Sequence, residues 1–112
     1  MQDLVITTLV EGEGKVAVKG ALIMTHYRGY LADGTLFDSS YNKNKPFQCV
    51  IGTGRVIKGW DQGILGMRVG GKRKLEVPAH LAYGERAMGK VIPANSALVF
   101  EIELLEVLTR DD

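Results

Sequence analysis

The feature that most constrains the fold is a short apolar helical pattern around the only tryptophan of the chain, in residues 55–71. Apolar side chains recur there at the three- and four-residue spacing of one helical face: Val56, Ile57, Trp60, Ile64 and Leu65. Gly59 and Gly63 each cost about 1 kcal/mol relative to alanine in a helix. Gly70 and Gly71 prevent a longer helix. Because so short a helix is not stable alone, we predict that the rest of the chain packs around it.

The other regular elements are predicted to be strands, because branched and aromatic residues alternate with polar ones. The segments are residues 4–9, 21–32, 36–38, 46–51, 72–77 and 98–108. Asp33 and Gly34 give a hairpin signal before the third segment, and a polar loop at residues 39–45 precedes the fourth. With about five antiparallel strands and one helix, the predicted fold is an α+β domain in which a curved sheet folds across the helix. We expect a single domain over residues 1–112, with its core in residues 20–108 and fraying in residues 109–112.

The charge distribution and the apolar runs argue against several classes of partner. The formal net charge is +1 and the basic residues are dispersed, so neither nucleic acid nor a membrane surface is a predicted partner. We expect the basic run of residues 72–74 to be a solvated edge. No apolar segment has the length of a membrane span, and no signal-peptide pattern is visible. Cys49 is the only cysteine, which fits a reducing compartment, so the expectation is a cytoplasmic protein. A monomer is expected because no apolar helix face is left over.

The usual catalytic and cofactor motifs are incomplete or missing in this sequence. Residues 66–73 have the glycine and lysine spacing of a phosphate-binding loop, but Arg73 stands where a hydroxyl group is needed. His26 and His80 are 54 positions apart without an acidic or thiol cluster near either. We therefore predict no metal site and no cofactor, and expect His26 to be a hydrogen-bonded residue of the core or of a sheet edge. Groupings typical of nucleophilic catalysis are not visible either.

Aromatic residues occur about once in each predicted element, and this pattern has two interpretations. The residues are Tyr27, Phe37, Phe47, Trp60, Tyr83 and Phe100. They can form a closed core, or they can line a concave apolar pocket between helix and sheet. Asp38 favours the pocket, because a carboxylate directly after two apolar residues must be hydrogen-bonded or functional. Tyr83 also favours it, because its phenol lies beside the long irregular stretch of residues 84–97 and could reach a ligand carbonyl.

Five stretches taken together make the sequence recognisable. They are THYRGYLADGTLFDSS from residue 25, KPF from residue 45, VIKGWDQGILGMRVGGKRKLEVP from residue 56, LAYG from residue 81 and VIPANSALVFEIELL from residue 91. In this order and spacing, the chain resembles the FK506-binding-protein (FKBP) family of peptidyl-prolyl cis-trans isomerases over nearly all of residues 20–107.

The resemblance implies a half-barrel sheet wrapped around the helix, with an active site between the two. It implies that Trp60 is the pocket floor under the bound proline ring, that Asp38 is the family's acid, and that Tyr83 donates a hydrogen bond to a ligand carbonyl. The implied walls are Tyr27, Phe37, Phe47, Val56, Ile57 and Phe100. Ile57 is also expected to offer its backbone N–H, and Val91 and Ile92 are expected to belong to a loop that overhangs the site.

Two departures from the family pattern lie near this implied site. Lys43 stands where an arginine often pairs with the acid, and Arg55 stands where an acidic side chain can occur. The implied partners are proline-containing clients, with macrolides of the FK506 and rapamycin type as inhibitors.

Three functional hypotheses follow from the sequence. The first is an isomerase of X–Pro bonds that assists protein folding. The second is a module that binds proline-containing segments with little turnover. The third, a chaperone with a separate substrate-gripping domain, is disfavoured because only eight residues separate Tyr83 from Ile92.

Overall fold

The computed structural model describes residues 3–110 as an antiparallel sheet that wraps around a short helix. The strands are β1 (Val5–Val10), β2 (Leu22–Leu31), β3 (Leu36–Ser39), β4 (Phe47–Val50), β5 (Lys72–Val77) and β6 (Leu98–Leu108). Helix α1 (Lys58–Gly63) connects β4 to β5, and a 3₁₀ turn (Ala79–Leu81) follows β5. The strand order is β1-β5-β6-β2-β3, with β4 also paired to β2. The predicted α+β architecture is confirmed.

The sheet has six strands, one for each of the six predicted segments and one more than the predicted total of about five, and β3 and β4 share one edge of β2. Strand β3 pairs with the C-terminal half of β2, where Arg28 lies opposite Ser39. Strand β4 pairs with the N-terminal half, where Leu22 lies opposite Val50. The polar residues 40–46 therefore leave the sheet between these two pairings and return to it.

The concave face of the sheet carries the core. Every second residue of β6 from Leu98 to Leu104 is buried there, as the alternation predicted, together with Leu75 and Val77 of β5. Trp60 of α1 is only 4% exposed and packs against this face. In the part of the chain that the structure describes, no helix is both long enough and apolar enough to span a bilayer.

Helix α1 is shorter than the apolar periodicity suggested, and its glycines bring it close to β5. It covers six residues, so Val56 and Ile57 precede it and Ile64 caps its end. A Cβ atom on Gly59 would lie 2.5 Å from Cγ1 of Val77. Glycine at positions 59 and 63 is unfavourable for an isolated helix, but it permits α1 to pack closely against Val77 and Leu75 of β5.

The basic run at residues 72–74 is not a solvated edge, because β5 lies between β1 and β6. Arg73 turns toward the end of α1, where its Nη1 donates hydrogen bonds of 2.9 Å to the carbonyl oxygens of Gly63 and Leu65. A helix end leaves carbonyl groups without intrahelical partners, and a guanidinium group satisfies them well. Arg73 thereby fixes the C-terminal end of the helix that carries Trp60.

The two ends of the chain differ slightly from the prediction. Strand β1 begins one residue later than expected, at Val5. Lys15 Nζ donates a 2.9 Å hydrogen bond to Oγ1 of Thr109, at the start of the segment expected to fray. Positions 111 and 112 of that segment lie outside the described residues.

Candidate active site

A cavity of about 520 Å³ opens between α1 and the concave face of the sheet. Its lining includes every side chain predicted from the sequence except Val91 and Ile92: Tyr27, Phe37, Asp38, Phe47, Val56, Ile57, Trp60, Tyr83 and Phe100. Gly54 and Arg55, which we did not predict as site residues, complete the lining. Trp60 therefore belongs both to the core and to the cavity wall.

Aromatic side chains meet the Trp60 indole edge to face. The ring centroids of Tyr27, Phe100 and Phe47 lie 5.2, 5.4 and 5.7 Å from that of Trp60, at interplanar angles above 80°. Phe37 meets Phe100 in the same way at 5.8 Å. Edge-to-face contacts at these distances are favourable, and each ring restricts the rotation of its neighbour. The apolar walls are therefore held in place before any ligand arrives.

Asp38 is a paired, ionised carboxylate at the edge of this cavity. Its Oδ2 accepts a 2.6 Å hydrogen bond from the hydroxyl of Tyr27. Its Oδ1 lies 2.8 Å from Lys43 Nζ and accepts a 2.9 Å hydrogen bond from the backbone N–H of Ser39. Partial burial alone would raise the pKa of Asp38, but Lys43, Tyr27 and Ser39 outweigh it and lower that pKa below its ordinary value. Lys43 thus makes the ion pair that the family pattern assigns to an arginine.

The pKa of Tyr27 moves in the opposite direction, raised first by burial and then by its hydrogen bond to Asp38. At neutral pH, Asp38 is therefore charged and Tyr27 is protonated. Neither group changes its protonation state near neutral pH, so the pair is suited to hold geometry rather than to acid–base catalysis.

The loop that carries Lys43 is anchored by Ser40, a residue that the sequence did not single out. Ser40 is 2% exposed, and its Oγ accepts a 2.7 Å hydrogen bond from the backbone N–H of Tyr27. The same Oγ lies 2.8 Å from Nδ1 of His26, whose ring stacks on Tyr41 at 4.5 Å. His26 is thus hydrogen-bonded, as expected. The sequence does not distinguish Ser40 from the neighbouring Ser39, because the partners of its hydroxyl group are set by the fold.

On the side of the cavity opposite Asp38, Asp61 in the first turn of α1 holds the loop of residues 52–54. Its carboxylate accepts hydrogen bonds of 2.7 and 2.8 Å from the backbone N–H groups of Gly52 and Gly54. The carbonyl of Ile57 accepts bonds from the N–H groups of Trp60 and Asp61. Within residues 3–110 the N–H of Ile57 has no backbone partner, so a donor is left on the cavity wall. An acidic residue in the first helical turn was the available sequence signal.

Tyr83 lies just beyond the 3₁₀ turn and places its side chain in the cavity lining. Burial raises its pKa, and the negative charge of Asp38 raises it further, so the phenol stays protonated at neutral pH. Among the described residues, no hydrogen-bond partner is found for its hydroxyl group. A protonated phenol without an internal partner is available as a donor to a bound molecule.

Val91 and Ile92 are the predicted site residues that do not line the cavity. Val91 is 52% exposed, whereas Ile92 is 6% exposed and packs in the core. A bridge between Met88 and Ile92 closes the loop on itself, with N–H to O distances of 2.8 and 3.3 Å. Their expected contact with a bound ligand stays a prediction. Among residues 3–110, no group of His, Cys, Asp and Glu side chains is arranged to hold a metal ion.

Comparisons with known proteins agree with this geometry. The family described as FKBP-type peptidyl-prolyl cis-trans isomerase matches residues 13–105. The chain is 52% identical over 107 residues to the FK506-binding protein of Neisseria meningitidis serogroup A, covering 96% of this chain and 98% of that protein. It is 46% identical to the peptidyl-prolyl cis-trans isomerase FKBP2 of Bos taurus, over 100% of this chain and 90% of that one. The crystal structure of AtFKBP13 superposes with a TM-score of 0.88 at 47% identity, covering 94% of this chain and 93% of that chain.

Proposed function

The chain belongs to the FKBP-type peptidyl-prolyl cis-trans isomerase family and is an isomerase of that class, and we propose that X–Pro peptide bonds rotate in the cavity between α1 and the sheet. FK506 binding is a general property of the family. We place the reaction in this cavity because three aromatic rings pack edge-on around Trp60 at its wall.

Rotation about the X–Pro bond breaks no covalent bond, so its rate depends on the surroundings of the amide rather than on a reactive group. Rotation about an X–Pro bond has a barrier of roughly 20 kcal/mol, which comes from amide resonance. Water stabilises the charge-separated resonance form, and a twist of the amide by about 90° removes that form. An apolar cavity therefore disfavours the planar amide more than the twisted one. Each tenfold acceleration requires about 1.4 kcal/mol of this difference.

Different residues of the cavity hold the proline ring and the backbone of the client. Trp60, with Phe47 and Phe100 beside it, holds the proline ring. Tyr83 and the N–H of Ile57 hold carbonyl groups of the client and so keep it in one orientation while the amide rotates.

We further propose that Asp38 acts on the walls of the cavity. Both of its oxygens are already engaged by the protein, with Tyr27, Lys43 and Ser39. Asp38 is therefore assigned to fixing Tyr27, a wall of the ring site, while Val91 and Ile92 contact the client from the loop above. Phe37 and Val56 complete the apolar enclosure.

A cytoplasmic location and a monomeric state are also proposed. The single cysteine, Cys49, is half-buried, and burial together with the charge of Asp61 raises its pKa to about 11. The proposed location rests on the sequence, in which a single cysteine has no internal disulfide partner, as fits a reducing compartment. Light scattering that gives a mass near 12.3 kDa supports the monomer, and twice that mass contradicts it.

The decisive experiment is exchange NMR on a short peptide with one X–Pro bond. We expect the cis and trans signals to interconvert faster with the protein than in buffer, and FK506 to abolish the acceleration. A peptide that binds with an unchanged interconversion rate supports the proline-binding module instead. A peptide that neither binds nor isomerises contradicts the placement of the site.

A further inference from the structure

A second cavity, of about 410 Å³, lies beside the candidate active site. Phe47, Arg55 and Val56 line both cavities, so the two share a wall. The second cavity continues along β4, where Gln48, Cys49 and Val50 line it, and Leu22 of the paired strand β2 also lines it. Rotation of the X–Pro bond uses only the first cavity, which leaves the second without an assigned role.

The position of this cavity suits an extended chain. A residue that precedes proline is restricted to extended conformations, and an extended chain advances about 3.3 Å per residue. A client held by its proline therefore leaves the first cavity within a few residues. Among the described residues, β4 pairs in the sheet with β2 alone. Its other edge can hold an added strand through main-chain hydrogen bonds.

The shared wall carries a positive charge that the protein itself does not neutralise. Arg55 is exposed, and within residues 3–110 it makes no ion pair or hydrogen bond. By contrast, Lys43 on the other side of the cavity is paired with Asp38 at 2.8 Å. Asp61, which binds the glycine loop just before Arg55, is already engaged by two backbone N–H groups. A negative charge brought by a client would be the first partner of Arg55.

We propose that the second cavity holds the part of the client chain that extends from the proline out of the first cavity, and that Arg55 selects clients in which this part combines an apolar with an acidic side chain. The apolar side chain fills the space over Leu22 and Val50, while the carboxylate meets Arg55 at the wall between the cavities. This inference rests on the proposed function, because the proline in the first cavity places the rest of the client.

The first test is a set of peptides with one Leu-Pro bond, in which Glu, Gln or Lys occupies each of the three positions on either side in turn. We expect kcat/KM to be about 1.4- to five-fold higher for Glu than for Gln at one position, which is the range of an exposed ion pair. At 1 M salt, where the Debye length is about 3 Å, this preference should shrink.

Charge-matched variants locate the preference. Arg55→Gln should bring the Glu-to-Gln ratio to about one. Lys58→Gln removes the same charge three positions away, lines neither cavity, and should leave the ratio unchanged. Lys45 lines another cavity, on the side of Phe47 away from Arg55. Loss of the ratio in Lys45→Gln with retention in Arg55→Gln would place the client on that side and overturn the proposal.

The second test does not depend on turnover. Cys49 lines the second cavity and is the only cysteine, so a maleimide reports on that cavity alone. A saturating long Glu-containing peptide should slow the labelling of Cys49 several-fold, whereas a capped dipeptide that fills only the first cavity should not. Equal labelling rates with both ligands contradict the proposal.

The peptide series separates the isomerase function from the role of Arg55. If the Gln peptides are not isomerised, the proposed function fails. If they are isomerised but no position prefers Glu, the proposed function stands and the role of Arg55 is wrong.

Discussion

The phenol of Tyr83 offers the sharpest test of how the cavity holds its client. In Tyr83→Phe one oxygen atom is removed, and in the part of the chain that the structure describes this oxygen has no hydrogen-bond partner. The free energy of unfolding should therefore change by no more than about 0.5 kcal/mol. The hydrogen bond to the client is lost, and neutral hydrogen bonds contribute about 0.5–1.5 kcal/mol. At 1.36 kcal/mol for each tenfold change, kcat/KM should fall about two- to twelve-fold.

The measurement combines exchange NMR for turnover with urea unfolding for stability. Tyr30→Phe is the matched control, because the Tyr30 hydroxyl lies 3.3 Å from Oε1 of Glu101 and Tyr30 does not line the cavity. Its kcat/KM should equal that of the wild type. The assignment of Tyr83 is refuted if Tyr83→Phe keeps full kcat/KM. It is also refuted if the loss in rate is matched by a loss in stability above about 1 kcal/mol, since the phenol would then be structural.

Three further changes test other parts of the site. Trp60→Ala should lower the free energy of unfolding by about 3–5 kcal/mol in urea unfolding and should also weaken FK506 binding. If only stability or only FK506 affinity falls, Trp60 does not serve both the core and the cavity. Asp38 has a lowered pKa in the folded state, so its ionised form stabilises the protein fully above its ordinary pKa of 3.8, and this stabilisation disappears as the pH falls through the folded pKa. In Asp38→Asn the melting temperature should therefore depend less on pH below about 4. An unchanged dependence would show that Asp38 is not the source of the acid sensitivity. Gly59→Ala should lower the free energy of unfolding by up to about 2 kcal/mol, because overpacking against Val77 exceeds the gain in helix propensity. A more stable variant would show that the helix can move away from β5.

The sequence predicted the strands well, because one face of each inner strand is buried and leaves a two-residue alternation. Strands β5 and β6 have the predicted bounds, and Leu98 and Phe100 lie in the core as expected. The helix was predicted too long, since Val56 and Ile57 are apolar for a different reason: they line the cavity. Their spacing from Trp60 happens to match a helical period.

The residues that the sequence could not assign depend on contacts between distant parts of the chain. Arg73 looked like a surface cation until the sheet order placed β5 inside the sheet and beside the end of α1. Asp61 and Ser40 hold the two sides of the cavity through backbone groups, and although an acidic residue early in a helix is a recognisable pattern, the backbone groups that these two residues bind cannot be predicted from the sequence. Lys43 was identified as a departure at the arginine position, and its pairing with Asp38 needed the path of the loop.

The division of one sheet edge between β3 and β4 has a consequence for how proteins of this kind diversify. Residues 42–46 are not part of the β2 ladder, because β2 pairs with β3 before them in the chain and with β4 after them, whereas Ser40 and Tyr41 still contact β2. Insertions or deletions there would alter the rim around Asp38 while the ten residue pairs between β2 and β6 remain intact. Client choice and folding stability can therefore change independently at this edge, which makes it a natural place to engineer new specificity.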